Sequence, residues 1–200
     1  MLITPEYREQ LILKHRVHKT WGNSGNKMAG LIKRLVGDCA PKNILDYGCG
    51  KQSLAQALPE YRIKGYDPAM PGIDQPPEPH DLVVCCDVLE HIEPDCLDDV
   101  LDDLARVTKK TLFVYICVLP AIQFLPDGRN AHLIVESPEW WVRKMMEKFT
   151  LQNFATSEVF TQIICGVKSK MNGVPYSVIA NEVLDRLSPP KTRVKESPFS

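Results

Sequence analysis

Two short stretches of this sequence combine residue types that could do chemistry at close quarters. In "NILDYGCG", Asp46 runs into Gly48 and Gly50, and in "YRIKGYD" an apolar-tending segment closes on Asp67. Two glycines one residue apart after a strand let a ligand approach the backbone, because neither position carries a side chain. A dinucleotide fingerprint would continue with glycine at position 53, but that residue is Ser53, and no G-K-[ST] phosphate loop occurs anywhere. Asp46 points the same way: an acid before the turn repels phosphate and suits a cationic ligand or a set of amide donors. Asp67 follows Gly50 by seventeen residues. An acid there can accept hydrogen bonds from both ribose hydroxyls of an adenosine. Its plainer alternative is a turn cap ahead of Pro68. Taken together, Asp46, Gly48, Gly50 and Asp67 favour the ribose.

The elements that must position these residues are legible. Apolar runs at 43–47, 61–67, 81–88 and 111–118 read as short strands, three of them apolar nearly throughout, with helical stretches between. That alternation predicts a parallel sheet covered on both faces. The runs at 150–159 and 160–168 read as a closing strand pair that supplies an antiparallel edge, for six strands in all. Upstream, Met28, Leu31, Ile32 and Leu35 form one helix stripe with Gly37 suited to its stop. "SLAQALPE" is a short helix stopped by Pro59. Leu97, Val100, Leu101, Leu104 and Val107 make a second stripe, leaving Asp98, Asp99, Asp102 and Asp103 to water. A further helix has Ser137 as N-cap, Pro138 at its first position and an expected stripe of Val142, Met145, Met146 and Phe149. The expected organisation is an N-terminal helical segment over 1–42, an α/β domain over 43–170 and a partly disordered extension over 171–200.

A net charge of −1 over 200 residues argues against tight nonspecific binding to nucleic acid. The basic bias between Arg8 and Lys42 and the acidic bias from Asp87 to Asp103 read as solvated helix faces. The seven cysteines include no C-x-x-C pair, so zinc-site and thioredoxin spacings are absent and no metal ligands are expected. The N-terminus has no signal-peptide core, and the longest apolar run is broken by Pro120 and Gln123, too short for a bilayer. A cytoplasmic protein without membrane attachment is expected.

Three segments, "ILDYGCG", "GYDP" and "DLVVCCDVLEHI", in this order resemble a class I S-adenosylmethionine-dependent methyltransferase from about Asn43 to Lys168. "LPDGRNAHLIVESPEWW" is similar to a smaller group of bacterial and phage methyltransferase-like proteins. The resemblance implies an α/β, doubly wound Rossmann-like fold with S-adenosyl-L-methionine as cofactor. It implies that Asp46, Gly48 and Gly50 hold the methionyl end and Asp67 the ribose. It also places Asp87, Leu89, Glu90 and His91 beside the reacting centre. The sequence departs from the family between Asp67 and the "DLVV" strand. Only "PAMPGIDQPPEPH" intervenes, too short and proline-rich for the usual helix and strand. One strand of the usual seven should be missing, and the adenine edge falls to a loop, with Ile73 or Asp74 as candidates.

Methyl transfer to oxygen or nitrogen needs alignment, exclusion of water and, for a protonated acceptor, a general base. His132 and His91 are the candidate bases, with Glu90 beside them. His132 lies at the ligand-binding end of the sheet with Asp127, Arg129 and Asn130 as substrate candidates, though Asp127-Gly128 is also an ordinary turn. Trp21, before the glycine loop of "TWGNSGNK", belongs either to a lid or to an interhelical turn. His15, His18 and His80 lack a partner pattern and are expected at the surface. The leading expectation is methyl transfer to a small-molecule acceptor. Alternatives are a cofactor-binding regulator without turnover, a nucleic-acid methyltransferase, and a nicotinamide oxidoreductase. For the nucleic-acid option, no Asn/Asp-Pro-Pro-aromatic run or Pro-Cys nucleophile is present. For the oxidoreductase, Ser53 replaces the third glycine.

Overall fold

The structure, a computed structural model, describes residues 1–167; the expected C-terminal extension lies outside the described residues. In chain order the elements are α1 (Pro5–Val17), α2 (Gly25–Cys39), β1 (Ile44–Tyr47), α3 (Ser53–Ala57), β2 (Lys64–Tyr66), β3 (His80–Cys86), α4 (Leu97–Val107), β4 (Thr108–Cys117), α5 (Pro138–Lys148), β5 (Phe149–Thr156) and β6 (Phe160–Val167). The six strands form one sheet in the order β2-β1-β3-β4-β6-β5. The first four are parallel, and β6 pairs antiparallel with both β4 and β5. This is the mixed, mostly parallel Rossmann-like sheet that the strand pattern predicts. Between β2 and β3 there is only a loop, which accounts for the missing strand.

Strand order reverses beside β1, with β2 on one side and β3 on the other. The carboxyl ends of β1 and β3 therefore meet at the switch point where open α/β sheets bind ligands. Both sheet faces are covered, which is why the strands lack an apolar/polar alternation. Leu45, Val83, Cys85, Leu112 and Val114 pack into a cluster with α4 and α5. Their neighbours Ile44, Leu82, Val84 and Phe113 pack with α2 and α3 on the other face, as the two-residue period of a strand requires.

Several local expectations change. Helix α2 continues through Gly37 to Cys39 and ends at Ala40, whose left-handed φ of 43° lets its N–H reach Val36 O. Gly37 sits exposed inside the helix with open space around it. In α5 the Ser137 cap and Pro138 stand as expected, but the buried residues are Trp141 and Met145, while Met146 is 51% exposed. The acidic face of α4 is not all solvent: Asp103 accepts a 2.9 Å hydrogen bond from the Tyr47 hydroxyl and another from Arg106. His80 is buried, its Nδ1 against Glu78 O at 2.6 Å. No helix of the described residues is long and apolar enough to cross a membrane.

Candidate active site

The glycine turn is shaped by bonds to its neighbours. Gly48 and Cys49 both donate their N–H groups to Tyr66 O, at 2.8 and 3.1 Å, which lashes the end of β1 to the end of β2. Gly48 and Gly50 have φ of 76° and 50°, which favour glycine. Space demands glycine as well. A Cβ on Gly48 would meet Val88 Cγ2 at 2.4 Å, and one on Gly50 would meet the Gly22 backbone at 2.7 Å. The turn is thus clamped between the segment after β3 and the 20–24 turn ahead of α2.

Asp67 closes this corner. Its Oδ2 accepts the Gly50 N–H at 3.0 Å and its Oδ1 the Ala69 N–H at 2.8 Å, leaving lone pairs on both oxygens. The turn-cap and ligand readings of Asp67 therefore coexist. Burial pushes its pKa up, against the pull of these two N–H groups and of His15. Asp46, 5% exposed, makes no hydrogen bond through its carboxylate among the described residues. Burial, and then the charge of Asp67, push it up to about 7. Two neighbouring buried acids with spare acceptor capacity fit a ligand with hydroxyl and ammonium groups.

These groups line a cavity of about 900 Å³ at the switch point. Its floor is the Asp46–Gly50 turn, Asp67, and Cys86, Asp87 and Val88; its far wall is His91, His132 and the 119–123 segment. The roof comes from α1, through Tyr7, Leu11 and His15, and from the 20–24 turn with the first residues of α2. Trp21 lines the cavity, its ring edge-on to His91 at 5.2 Å, so the "TWGNSGNK" stretch is both interhelical turn and cover. Lys51 N–H to Gly22 O at 3.0 Å fastens that cover to the glycine turn.

His91 and His132 meet with ring centroids 4.7 Å apart. His91 Nδ1 lies 2.7 Å from Ala131 O, and burial pushes its pKa down to about 4. His132 Nδ1 lies 2.5 Å from Leu119 O. Asp127, Arg129 and Asn130, from the same loop, do not line the cavity. Asn130 takes the N–H groups of Ala121 and His132 on Oδ1 and returns Nδ2 to Ala121 O, which shapes the loop behind His132. Asp127 and Arg129 pair with each other at 2.7 Å on the outside, where Gln10 also reaches Asp127. Local pairing within a turn, the bland expectation for Asp-Gly-Arg, is what this loop adopts.

Two further expected site residues lie beneath the cavity. Leu89 is fully buried in the core. Glu90 is fully buried too, its Oε1 accepting the Cys117 N–H at 2.6 Å and its backbone oxygen those of Leu133 and Ile134. Burial and the charge of Asp87 push its carboxyl well up, so it joins β4, the turn after β3 and the His132 loop. Neither Ile73 nor Asp74 lines the cavity. Ile73 O receives the Asp67 N–H, and Asp74 pairs with Arg8 at 2.9 Å.

Sequence reasoning passed over His15, which lines the roof instead of the surface. Its pKa is pushed down by burial, against the pull of Asp67. The available signal was spacing: Tyr7, Leu11 and Lys14 recur at helical intervals, and Lys14 is buried with Nζ on Phe124 O at 2.6 Å and over the Trp21 ring at 4.2 Å.

Fold, switch point and paired acids define an α/β protein with a ligand-sized cavity at the carboxyl ends of β1 and β3. Residues 18–164, most of the chain, match the family described as methyltransferase domain, and the protein belongs to that family. Solved structures agree in fold. A protein from Pyrococcus horikoshii OT3 superposes with a TM-score of 0.58 at 16% identity, covering 82% of this chain and 100% of that one. The 1,6-didemethyltoxoflavin-N1-methyltransferase of Burkholderia thailandensis, solved with its substrate and S-adenosylhomocysteine, gives 0.59 at 15% identity, with 84% and 92% covered. The N-methyltransferase NodS of Bradyrhizobium japonicum, in complex with S-adenosylhomocysteine, gives 0.55 at 15%, with 82% and 97% covered. No curated protein sequence matches the chain.

Proposed function

We propose that the protein transfers a methyl group from S-adenosyl-L-methionine to the oxygen or nitrogen of a small-molecule acceptor. The observation that carries this reading is the pair Asp46 and Asp67: two buried acids at the switch point, one without a hydrogen bond and the other with spare lone pairs. Asp67 accepts from the ribose hydroxyls while its backbone donors hold it in place. Asp46 faces the cationic amino end, whose ammonium would repay ionising it. Bound there, the cofactor supplies an electrophilic methyl group.

The remaining residues align and shield. Trp21 and the α1 roof exclude water from the reacting centre. His132 takes the acceptor's proton. His91, held down to about 4, is too weak a base near neutral pH and serves to shape the wall. The roof over the cavity supports an acceptor small enough to enter beneath α1, in preference to a nucleic acid. Incubation with methyl-labelled S-adenosylmethionine and pools of small hydroxyl and amine compounds tests the proposal. Label in a product supports it; tight cofactor binding with no transfer to any pool would favour the regulator without turnover.

A further inference from the structure

Among the described residues, Asp87, His91 and His132 each offer one ligand atom, and these atoms all lie within 4.8 Å of one another. All three line the cavity. Asp87 and His91 flank a single 3₁₀ turn, in which the His91 N–H bonds to Val88 O at 2.9 Å. Asp87 itself stands at a φ of 60°, a left-handed conformation uncommon outside glycine. His132 arrives from the loop after β4.

Both imidazoles are oriented in the same way. His91 Nδ1 faces Ala131 O at 2.7 Å and His132 Nδ1 faces Leu119 O at 2.5 Å. A carbonyl oxygen only accepts, so each neutral ring carries its proton on Nδ1 and presents a bare Nε2 lone pair. Backbone carbonyls behind Nδ1 are the usual support of metal-binding histidines, fixing tautomer and ring direction. The rings stand at 80° to each other, and the hydrogen bonds they make among the described residues are these two, to backbone carbonyls. Behind Asp87 lies Glu90, fully buried, its carboxyl within hydrogen-bonding reach of the Asp87 side chain. Among the described residues neither acid makes an ion pair, and the nearby Lys14 is directed to Phe124 O and the Trp21 ring.

We propose that Asp87, His91 and His132 form a binding site for a divalent first-row transition-metal ion, open on one side to the cavity. Two imidazole nitrogens and one carboxylate suit zinc, iron, manganese or cobalt, whereas magnesium and calcium prefer oxygen throughout. Three protein ligands leave coordination positions free. An oxygen ligand, such as the hydroxyl of an acceptor, fills one of them and has its pKa lowered by the ion. With an ion in place, His132 acts as its ligand and the ion takes over the activation of the acceptor. This last role rests on the methyltransferase reading; the metal site does not.

The test titrates the full-length protein, stripped with a chelator, with Co²⁺ and follows the visible d–d absorption. A saturable band at one ion per chain, displaced by Zn²⁺, is expected. It should vanish in Asp87→Asn and in His132→Gln and persist in His18→Gln, an exposed histidine that does not line the cavity. Each variant is also titrated with S-adenosylhomocysteine, which reports an intact fold. No band, or a band unchanged in both site variants, overturns the metal site. Nucleoside binding without a cobalt band would leave the methyltransferase reading standing alone. A cobalt band without nucleoside binding would do the reverse.

Discussion

Asp46 should make ligand binding depend on pH, with a size that follows from its burial. Its pKa stands at about 7, against an ordinary 3.8; the gap corresponds to about 4 kcal/mol disfavouring the carboxylate in the empty site. The folded state therefore holds a proton that the unfolded chain releases. Its stabilising contribution is full below about 3.8 and is lost as pH rises through about 7. A ligand ammonium favours the ionised form, so binding near pH 6 expels the proton. With a pKa of about 7, roughly 3% of Asp46 is ionised at pH 5.5 and half at pH 7, so affinity should rise about fifteenfold over that interval. Burial pushes Asp67 up as well and His15 down, and both act in the same sense. Calorimetric titration with S-adenosylhomocysteine, in two buffers of different ionisation enthalpy, reads affinity and proton release together. Asp46→Asn should flatten the dependence and reduce the proton release. An affinity independent of pH, or one whose slope survives in Asp46→Asn, would refute the reasoning.

Other outcomes follow from the same geometry. Gly50→Ala should destabilise the protein by about 1–3 kcal/mol, since a left-handed φ and a backbone clash cannot be relieved by a rotamer change; chemical denaturation reads it. Gly37→Ala, in open space inside α2, should instead stabilise by about 0.5–1 kcal/mol in the same assay. His132→Ala should leave S-adenosylhomocysteine affinity within about twofold and cut turnover by about 10²-fold or more. If it abolishes nucleoside binding, the loop has been assigned the wrong part of the cavity.

The strands could be read from the sequence because helices cover both faces of the sheet, making the central stretches of β3 and β4, 82–86 and 112–117, apolar nearly throughout. The glycine turn was legible for a similar reason: glycine and aspartate at a strand end have few other uses. What the sequence could not supply was phase and partnership. Trp140 and Trp141 are equally apolar, and only packing against α4 and the β5–β6 edge selects Trp141 for the core. Gly37 reads as a stop, yet one exposed glycine costs too little to end a helix whose next turn is already anchored by Val36. His15 and Lys14 looked like surface because they are polar, but His15 lines the cavity roof and Lys14 is buried against Phe124 O and the Trp21 ring. Asp127 and Arg129 satisfy one another across a turn, which composition cannot distinguish from a substrate pair. Asp87, His91 and His132 are brought together by the β4 crossover, beyond any local spacing rule.

The central claim is that the switch-point acids hold S-adenosylmethionine. The most direct measurement is calorimetric titration with S-adenosylhomocysteine and, separately, with NAD, on the native protein and on Asp67→Ala. The account predicts that only S-adenosylhomocysteine binds, and that the variant binds it about 1–3 kcal/mol more weakly, the cost of unpairing the ribose hydroxyls. Binding of NAD, or affinity for S-adenosylhomocysteine unaffected by loss of the Asp67 carboxylate, would contradict it.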